Sequence, residues 1–227
     1  MARTLNLETH ALRRDEFVDA AQRLIQAKGY EQMSVHDVLA ELHTSKGAFY
    51  HYFDSKSALL EAVIARMVDG ATAAMAPMVA DPSLSALQKL EGMFAGIARW
   101  KGERTELVLA VMEVWLADDN AIVRDKFRQG VVKRLTPLLA EVIEQGNAEG
   151  SFTAIDPRHV ARVLVSLLLS ANEAATELFY ARRAGTISFE DVQRRLAAYG
   201  DSLERILGLP SGSFPVAGAA TLRQWFD

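Results

Sequence analysis

The chain has 227 residues, half of them hydrophobic, with no cysteine and a formal net charge of −4. That length holds one large domain, or a small domain beside a larger one, and so apolar a composition excludes a globally disordered chain. Without cysteine there is no disulfide framework and no thiolate metal site, as suits a reducing cytoplasm.

The acidic balance by itself argues against a nucleic-acid binder. Its distribution changes this only slightly: residues 1–56 hold seven Lys and Arg against eight Asp and Glu, together with four of the five histidines. That asymmetry is far weaker than a basic patch. The amino terminus lacks the apolar core of a signal peptide, and apolar runs such as 163–169, broken by Ser166, are shorter than the ~20 residues of a membrane helix. The expectation is a soluble, cytoplasmic protein without a membrane segment.

Apolar residues recur at helical spacing almost throughout, and no alternating strand pattern is found, so the predicted fold class is all-α. Residues 1–12 read as a flexible polar arm. A first helix is predicted over 13–28, burying Phe17, Ala21, Leu24 and Ile25, with Gly29 as its left-handed stop. Ser34 starts a second helix, and Asp37 three residues on makes an acidic capping box. That helix stops after Leu42. His43 and Thr44 form a very short turn, and Ser45 caps a third helix. Two short helices joined so tightly form a helix-turn-helix, over about 34–53, whose second helix can enter a major groove.

A long helix from Lys56 to about 75 connects this head, 13–56, to the rest of the chain. A break is expected around Pro77 and Pro82. Helices follow over about 84–100, 105–116 and 121–145, the last with a kink at Pro137. A loop over 146–157 leads into a very apolar helix to about 182, and Ser188 caps a final helix ending near 207. The total is about nine helices, with 57–207 as one carboxy-terminal domain. Residues 208–227 read as a flexible tail with a short docked piece at 222–226.

The stretch SKGAFYHYFDSK carries the chemistry. On a helix, Lys46, Gly47 and Tyr50 share one face with His51 beside them, while Phe49 and Phe53 fall four apart on another and read as core. Ser34 and Ser45 present helix N-termini to phosphates. Lys46 can reach a guanine edge or a phosphate. Gly47 lets the backbone approach a groove, and Tyr50 and His51 can donate to phosphates. Lys56 is a cation at a helix start, where the dipole disfavours it and a phosphate would repair the mismatch. Singly, each of these is also what a solvated surface or a plain cap provides; together, at this spacing, they point to DNA. Arg3, Arg13 and Arg14 are either further phosphate contacts or solvated charges.

SVHDVLAELHTSKGAFYHYFDSKSALLEAVI, extended back through DEFVDAAQRLIQAKGY, resembles the DNA-binding head of TetR-family transcription regulators over about 13–67. The resemblance implies DNA contact by Ser45, Lys46, Gly47, Tyr50, His51 and Lys56. Two positions depart from the family: His43 stands where glycine is usual in the turn, and Thr44 where a small apolar residue is usual. A left-handed backbone at His43 would carry a cost that glycine avoids.

The carboxy-terminal part has no catalytic motif and needs no cofactor or metal. There the resemblance implies a pocket for a small-molecule effector. Candidate lining residues are Met67, Met93, Phe94, Trp100, Met112, Trp115 and Phe179, with polar handles at Glu113, Asn172 and Glu173; such walls suit an apolar or aromatic ligand. The same side chains would also serve as ordinary core. Helices 157–182 and 188–207 could form half of a two-fold bundle or bury each other within one chain, and the resemblance implies a homodimer through them. The expected function is therefore a ligand-responsive repressor, not an enzyme, acting as a homodimer on a palindromic double-stranded DNA operator. The alternative is an all-helical small-molecule-binding or scaffold protein whose head binds another protein.

Overall fold

Neither glycine nor proline occurs between residues 2 and 28, so nothing in the sequence interrupts the first helix. In the computed structural model, which describes residues 2–115, 120–214 and 218–227, helix α1 spans Ala2–Lys28. The arm expected over 1–12 is thus continuous with the helix from Ala2 onward. Gly29, at φ 78°, closes α1 by donating to the Ile25 carbonyl at 2.9 Å.

Ten helices and no strand are found among the described residues. α2 is Val35–Glu41, α3 Lys46–Tyr52 and α4 Lys56–Ala80. α5 is Ala86–Gly102, α6 Thr105–Trp115, α7 Ala121–Glu149, α8 Pro157–Arg183, α9 Phe189–Leu207 and α10 Ala219–Phe226. The chain divides into two compact units: residues 1–69 with 103–127, and residues 70–102 with 128–227. The Asp118–Asp119 helix boundary lies outside the described residues.

The first unit is larger than the motif. Phe17, Ile25, Val38, Phe49 and Phe53 are buried together with Leu59, Leu60 and Val63 of α4, Leu107 and Val111 of α6, and Val123 of α7. A three-helix head of some forty residues buries too little apolar surface to be stable alone; α4 and α6 complete its core. α4 has the length and apolar composition of a membrane-crossing helix, but it is not a membrane span. Its apolar stripe lies in this core, its Glu61 accepts from Lys126 at 2.5 Å, and its Arg66 pairs with Asp19.

Three boundaries in the second unit differ from the sequence expectation, each for a local reason. α4 continues through Pro77 to Ala80, because Met75 and Val79 are buried on either side of the proline; buried Lys89 then donates to the Val79 carbonyl at 2.6 Å, a cation at a helix end. α7 runs unbroken through Pro137 and past Gly146 to Glu149. Gly146 is needed inside the helix, since a Cβ there would stand 2.1 Å from the Phe152 ring. The following loop is held by Asn147, whose side chain donates to the Ala154 carbonyl and accepts from the Ala154 amide, at 2.7 and 3.0 Å.

α8 and α9 start as the sequence predicts: Asp156 caps α8 ahead of Pro157, and Ser188 with Asp191 forms a capping box on α9. The tail is the third difference. Buried Glu204 of α9 accepts from the backbone amides of Gly212 and Phe214, at 2.8 and 2.6 Å. Phe214 packs edge-on against Phe94 at 4.9 Å, and Leu222 and Phe226 of α10 are buried. The glycine- and proline-rich composition suggested flexibility; two anchored aromatics and a satisfied carboxylate hold the segment down.

The turn between α2 and α3 has a Schellman geometry. Thr44 donates to the Leu39 carbonyl at 3.0 Å and His43 to the Ala40 carbonyl at 3.3 Å. This requires a left-handed residue, and His43 supplies it at φ 47°, alone among the described non-glycine residues. A side chain in that region costs about 1–2 kcal/mol, partly offset by the greater chain entropy glycine would lose. His43→Gly is therefore expected to raise the unfolding free energy by roughly 0.5–1 kcal/mol. A higher urea midpoint at unchanged slope is the predicted observation, and a lower one refutes it.

Candidate nucleic-acid interface

The outer face of the helix-turn-helix follows from how its inner face is held. Phe49 is 0 % exposed, with its ring edge-on to Phe17 at 5.8 Å and tilted to Phe53 at 5.9 Å. On a helix of seven residues, fixing Phe49 fixes every other side chain. Ser45, Lys46, Gly47, Tyr50 and His51 consequently point away from the core and are exposed, Tyr50 at 48 %. Ser34, at the start of α2, is exposed as well. The Lys46 ammonium lies 5.8 Å from the centre of the Tyr50 ring.

Gly47 is not required by the protein itself. A Cβ there would meet only the Ser45 hydroxyl at 3.8 Å, an ordinary contact. Its bare face is open to solvent.

The two capping serines differ in what they have left to offer. The Ser34 hydroxyl accepts from the Asp37 amide and donates its proton to the Asp37 carboxylate at 2.7 Å. The Ser45 hydroxyl accepts from the Ala48 amide at 3.2 Å, and no carboxylate stands at the third position to take its proton. Ser45 keeps its hydroxyl proton to donate, whereas the Ser34 hydroxyl and amide are both taken up by Asp37.

Lys56 is only partly exposed. Its ammonium donates to the Glu31 carbonyl at 3.3 Å and lies 4.1 Å from the centre of the Tyr30 ring. Burial pushes it below the usual lysine range, with the Glu31 carboxylate acting in the opposite direction. The mismatch with the helix dipole is thus already relieved within the fold, by a carbonyl and an aromatic face. Burial, and secondarily Glu31, pushes the Tyr30 hydroxyl up.

Among the arginines raised by the sequence, Arg13 pairs with Glu16 and Arg14 lies 4.9 Å over the Phe53 ring, while the Arg3 side chain is outside the described residues. One residue was missed. His10 lies 4.6 Å from Tyr52 and 5.4 Å from His51, ring to ring, joining α1 to the recognition helix. Its spacing of seven from Phe17 carried the signal, but only if the helix were read as starting before it.

The ten residues expected to line an effector pocket fall in different units. Met67, Met112 and Glu113 belong to the first; Met93, Phe94, Trp100, Asn172, Glu173 and Phe179 belong to the second. The side chain of Trp115 is outside the described residues. Glu113 borders a hollow of about 120 Å³ with residues 28–32. Asn172 accepts from Lys101 at 2.7 Å, Glu173 pairs with Arg128 at 2.6 Å, and Phe179 is buried against Phe226.

Residues 17–63, from the buried Phe17 to the buried Val63, match the sequence profile of the bacterial regulatory proteins of the tetR family. Over that stretch of the head the chain is similar to the TetR family. Similar proteins include a helix-turn-helix regulator from the lacX 3′ region of Lactococcus lactis, 43 % identical over 60 residues. That match spans 26 % of this chain and 31 % of the relative, so it concerns the head alone. The transcriptional repressor NemR of Escherichia coli K12 is 26 % identical over 176 residues, 74 % of this chain and 86 % of that protein. The crystal structure of E. coli NemR in its reduced form superposes with a TM-score of 0.54 over 87 % of this chain and 99 % of that one, at 23 % identity. At such identity the likeness establishes the fold. These relatives are named transcriptional regulators and repressors.

The capping box that starts α2 makes the head sensitive to acid. Asp37 accepts from Lys28 at 2.7 Å and from the Ser34 hydroxyl and amide, which together hold its carboxyl well below the usual range. A carboxylate depressed in the folded state stabilises it above the unfolded value of about 4, and that contribution is lost as pH falls towards the folded value. The head is therefore expected to lose stability below about pH 4, and Asp37→Asn to flatten that dependence. Urea midpoints measured between about pH 5 and pH 2 test this; parallel curves for the two proteins refute it.

Proposed function

We propose that this regulator is a ligand-responsive repressor acting as a homodimer on a palindromic operator in the cytoplasm. Residues 13–56 read the DNA, 57–207 bind effector and partner, and 208–227 form a docked tail. The observation that carries the reading is the outer face of α3. Lys46, Gly47, Tyr50 and His51 are presented to solvent by a buried Phe49, next to a Ser45 hydroxyl with a proton to give. Lys46 meets a guanine edge or a phosphate, Tyr50 and His51 donate to phosphates, and Ser34 and Lys56 flank them.

Two supports favour the repressor and the dimer. NemR is named a transcriptional repressor. α8 and α9 each bury one face and leave another outside: on α8, Val163 is 55 % exposed in a row with exposed Ser166 and Ser170. A two-fold pair of heads matches a palindromic site and supplies affinity that one head lacks. α4 contributes residues to both units, up to Asp69 in one and from Gly70 in the other. An effector, apolar or aromatic in its body, that binds differently to two positions of α4 would change the head spacing and so the DNA affinity.

Selection from random duplex DNA is expected to return a palindrome. On that sequence Lys46→Ala and Tyr50→Ala should each weaken binding by about tenfold or more, with Lys46→Ala lowering the salt slope by about one. Unchanged affinity in both variants sinks the assignment. Gly47→Ala separates DNA contact from folding: it should stabilise the head by about 0.5–1 kcal/mol through helix propensity while weakening operator binding. Equal operator affinity for Gly47→Ala and wild type would remove Gly47 from the interface.

A further inference from the structure

His10 and His51 come from different helices and stand side by side. His10 lies in α1 and His51 in the last turn of α3, with their rings 5.4 Å apart, edge to face. Tyr52 touches both: its ring is 4.6 Å from His10 and 4.9 Å from His51, and it also meets buried Phe17 at 5.5 Å. His10 and Phe17 are seven residues apart, two turns along one face of α1. The seating of α1 on Tyr52 therefore fixes where the His10 ring stands.

Packing alone does not call for two imidazoles at this place. Both residues are exposed, and among the described residues no hydrogen bond or ion pair engages either ring. The charged groups around them are largely occupied. One turn on from His10 in α1, Arg13 is paired with Glu16 and Arg14 lies over the Phe53 ring. On α3 the Lys46 ammonium lies over the Tyr50 ring, and Asp54, three residues past His51, is exposed. The Glu8 side chain is outside the described residues.

Histidine is the side chain that gains and loses its charge in the physiological pH range. Two imidazolium rings this close repel each other, so both hold a proton readily only when an anion answers them. His51 stands on the outer face of α3, where the proposed DNA contact brings a backbone phosphate.

We infer that His10 joins His51 as a paired-imidazole clasp on one operator phosphate, and that operator binding therefore takes up protons from solvent. Each ring donates one N–H to the phosphate oxygens. The charged form of each is favoured in the complex, so affinity rises as pH falls through the histidine range. The interface thus extends from the helix-turn-helix to α1. This rests on the reading of α3 as the DNA-facing helix and adds a residue and a proton linkage to it.

The test measures operator affinity of the full chain from pH 8 to pH 6 at constant ionic strength, because phosphate contacts are salt-dependent. Wild type should tighten by about tenfold or more over that range. His10→Phe keeps a ring against Tyr52 that cannot titrate, and its gain should fall short of the wild-type gain by at least about threefold. His10→Arg carries a fixed charge: it should bind at pH 8 at least as tightly as wild type, with its pH gain cut as in His10→Phe. His36 and His43, the other histidines of the head, are present in all three proteins, so the difference belongs to position 10. Calorimetry in two buffers of different ionisation enthalpy should count fewer protons taken up by both variants. A ring that served packing alone would change the urea midpoint and leave the pH gain intact.

A wild-type affinity that does not change with pH, or variants that keep the full wild-type gain, overturns the inference while the operator reading stands. If the wild type selects no operator, the underlying reading fails as well.

Discussion

Everything at the DNA-reading end depends on the burial of one ring. Phe49 packs with Phe17 and Phe53, and that contact sets the rotation of α3 about its own axis. In so short a helix the side chains on the opposite face have no other reference. Truncating such a ring costs about 3–5 kcal/mol in a well-packed core, and the larger effect would be to free the outward residues from their common orientation. The cluster also explains why the head extends beyond its motif. Phe17 and Phe49 need a floor, and Leu59, Leu60, Leu107 and Val111 provide it from α4 and α6.

The helix-turn-helix was legible in the sequence because its determinants are local. Ser34 with Asp37, and Ser45 alone, declare two helix starts eleven residues apart, and the two-residue turn between them leaves few geometries. The positive φ at His43 could be anticipated from the resemblance, which places glycine there, and the hydrogen bonds of Thr44 and His43 show why the chain must turn left-handed at that point. α8 and α9 were equally plain: Asp156 ahead of Pro157 and Ser188 ahead of Asp191 are strong caps, and their apolar stripes are long.

What was not legible lies where distant parts of the chain overrule local preference. Pro77 and Gly146 read as stops, yet burial of Met75, Val79 and Phe152 keeps helix on both sides of them. Residues 2–12 read as an arm because they are polar, although nothing in them breaks a helix. The effector side is less legible still. The apolar candidates share only their bulk, and bulk does not distinguish a wall from a core. Lys101 reads in the sequence as one lysine among many; only the fold brings it to Asn172, seventy-one positions away.

The anchoring of the tail changes what the carboxy terminus is. Glu204 sits 3 % exposed with its oxygens bonded to two backbone amides of the segment that follows α9. A chain cut at residue 208 would keep the carboxylate and lose both donors, while uncovering Phe94 and Phe179. A protease that reaches 209–214 would therefore do more than trim an end: it would take from Glu204 both of its amide donors and open the flank of α8. Phe214, Leu222 and Phe226 thus belong to the core of the second unit, and its last buried side chain is Phe226.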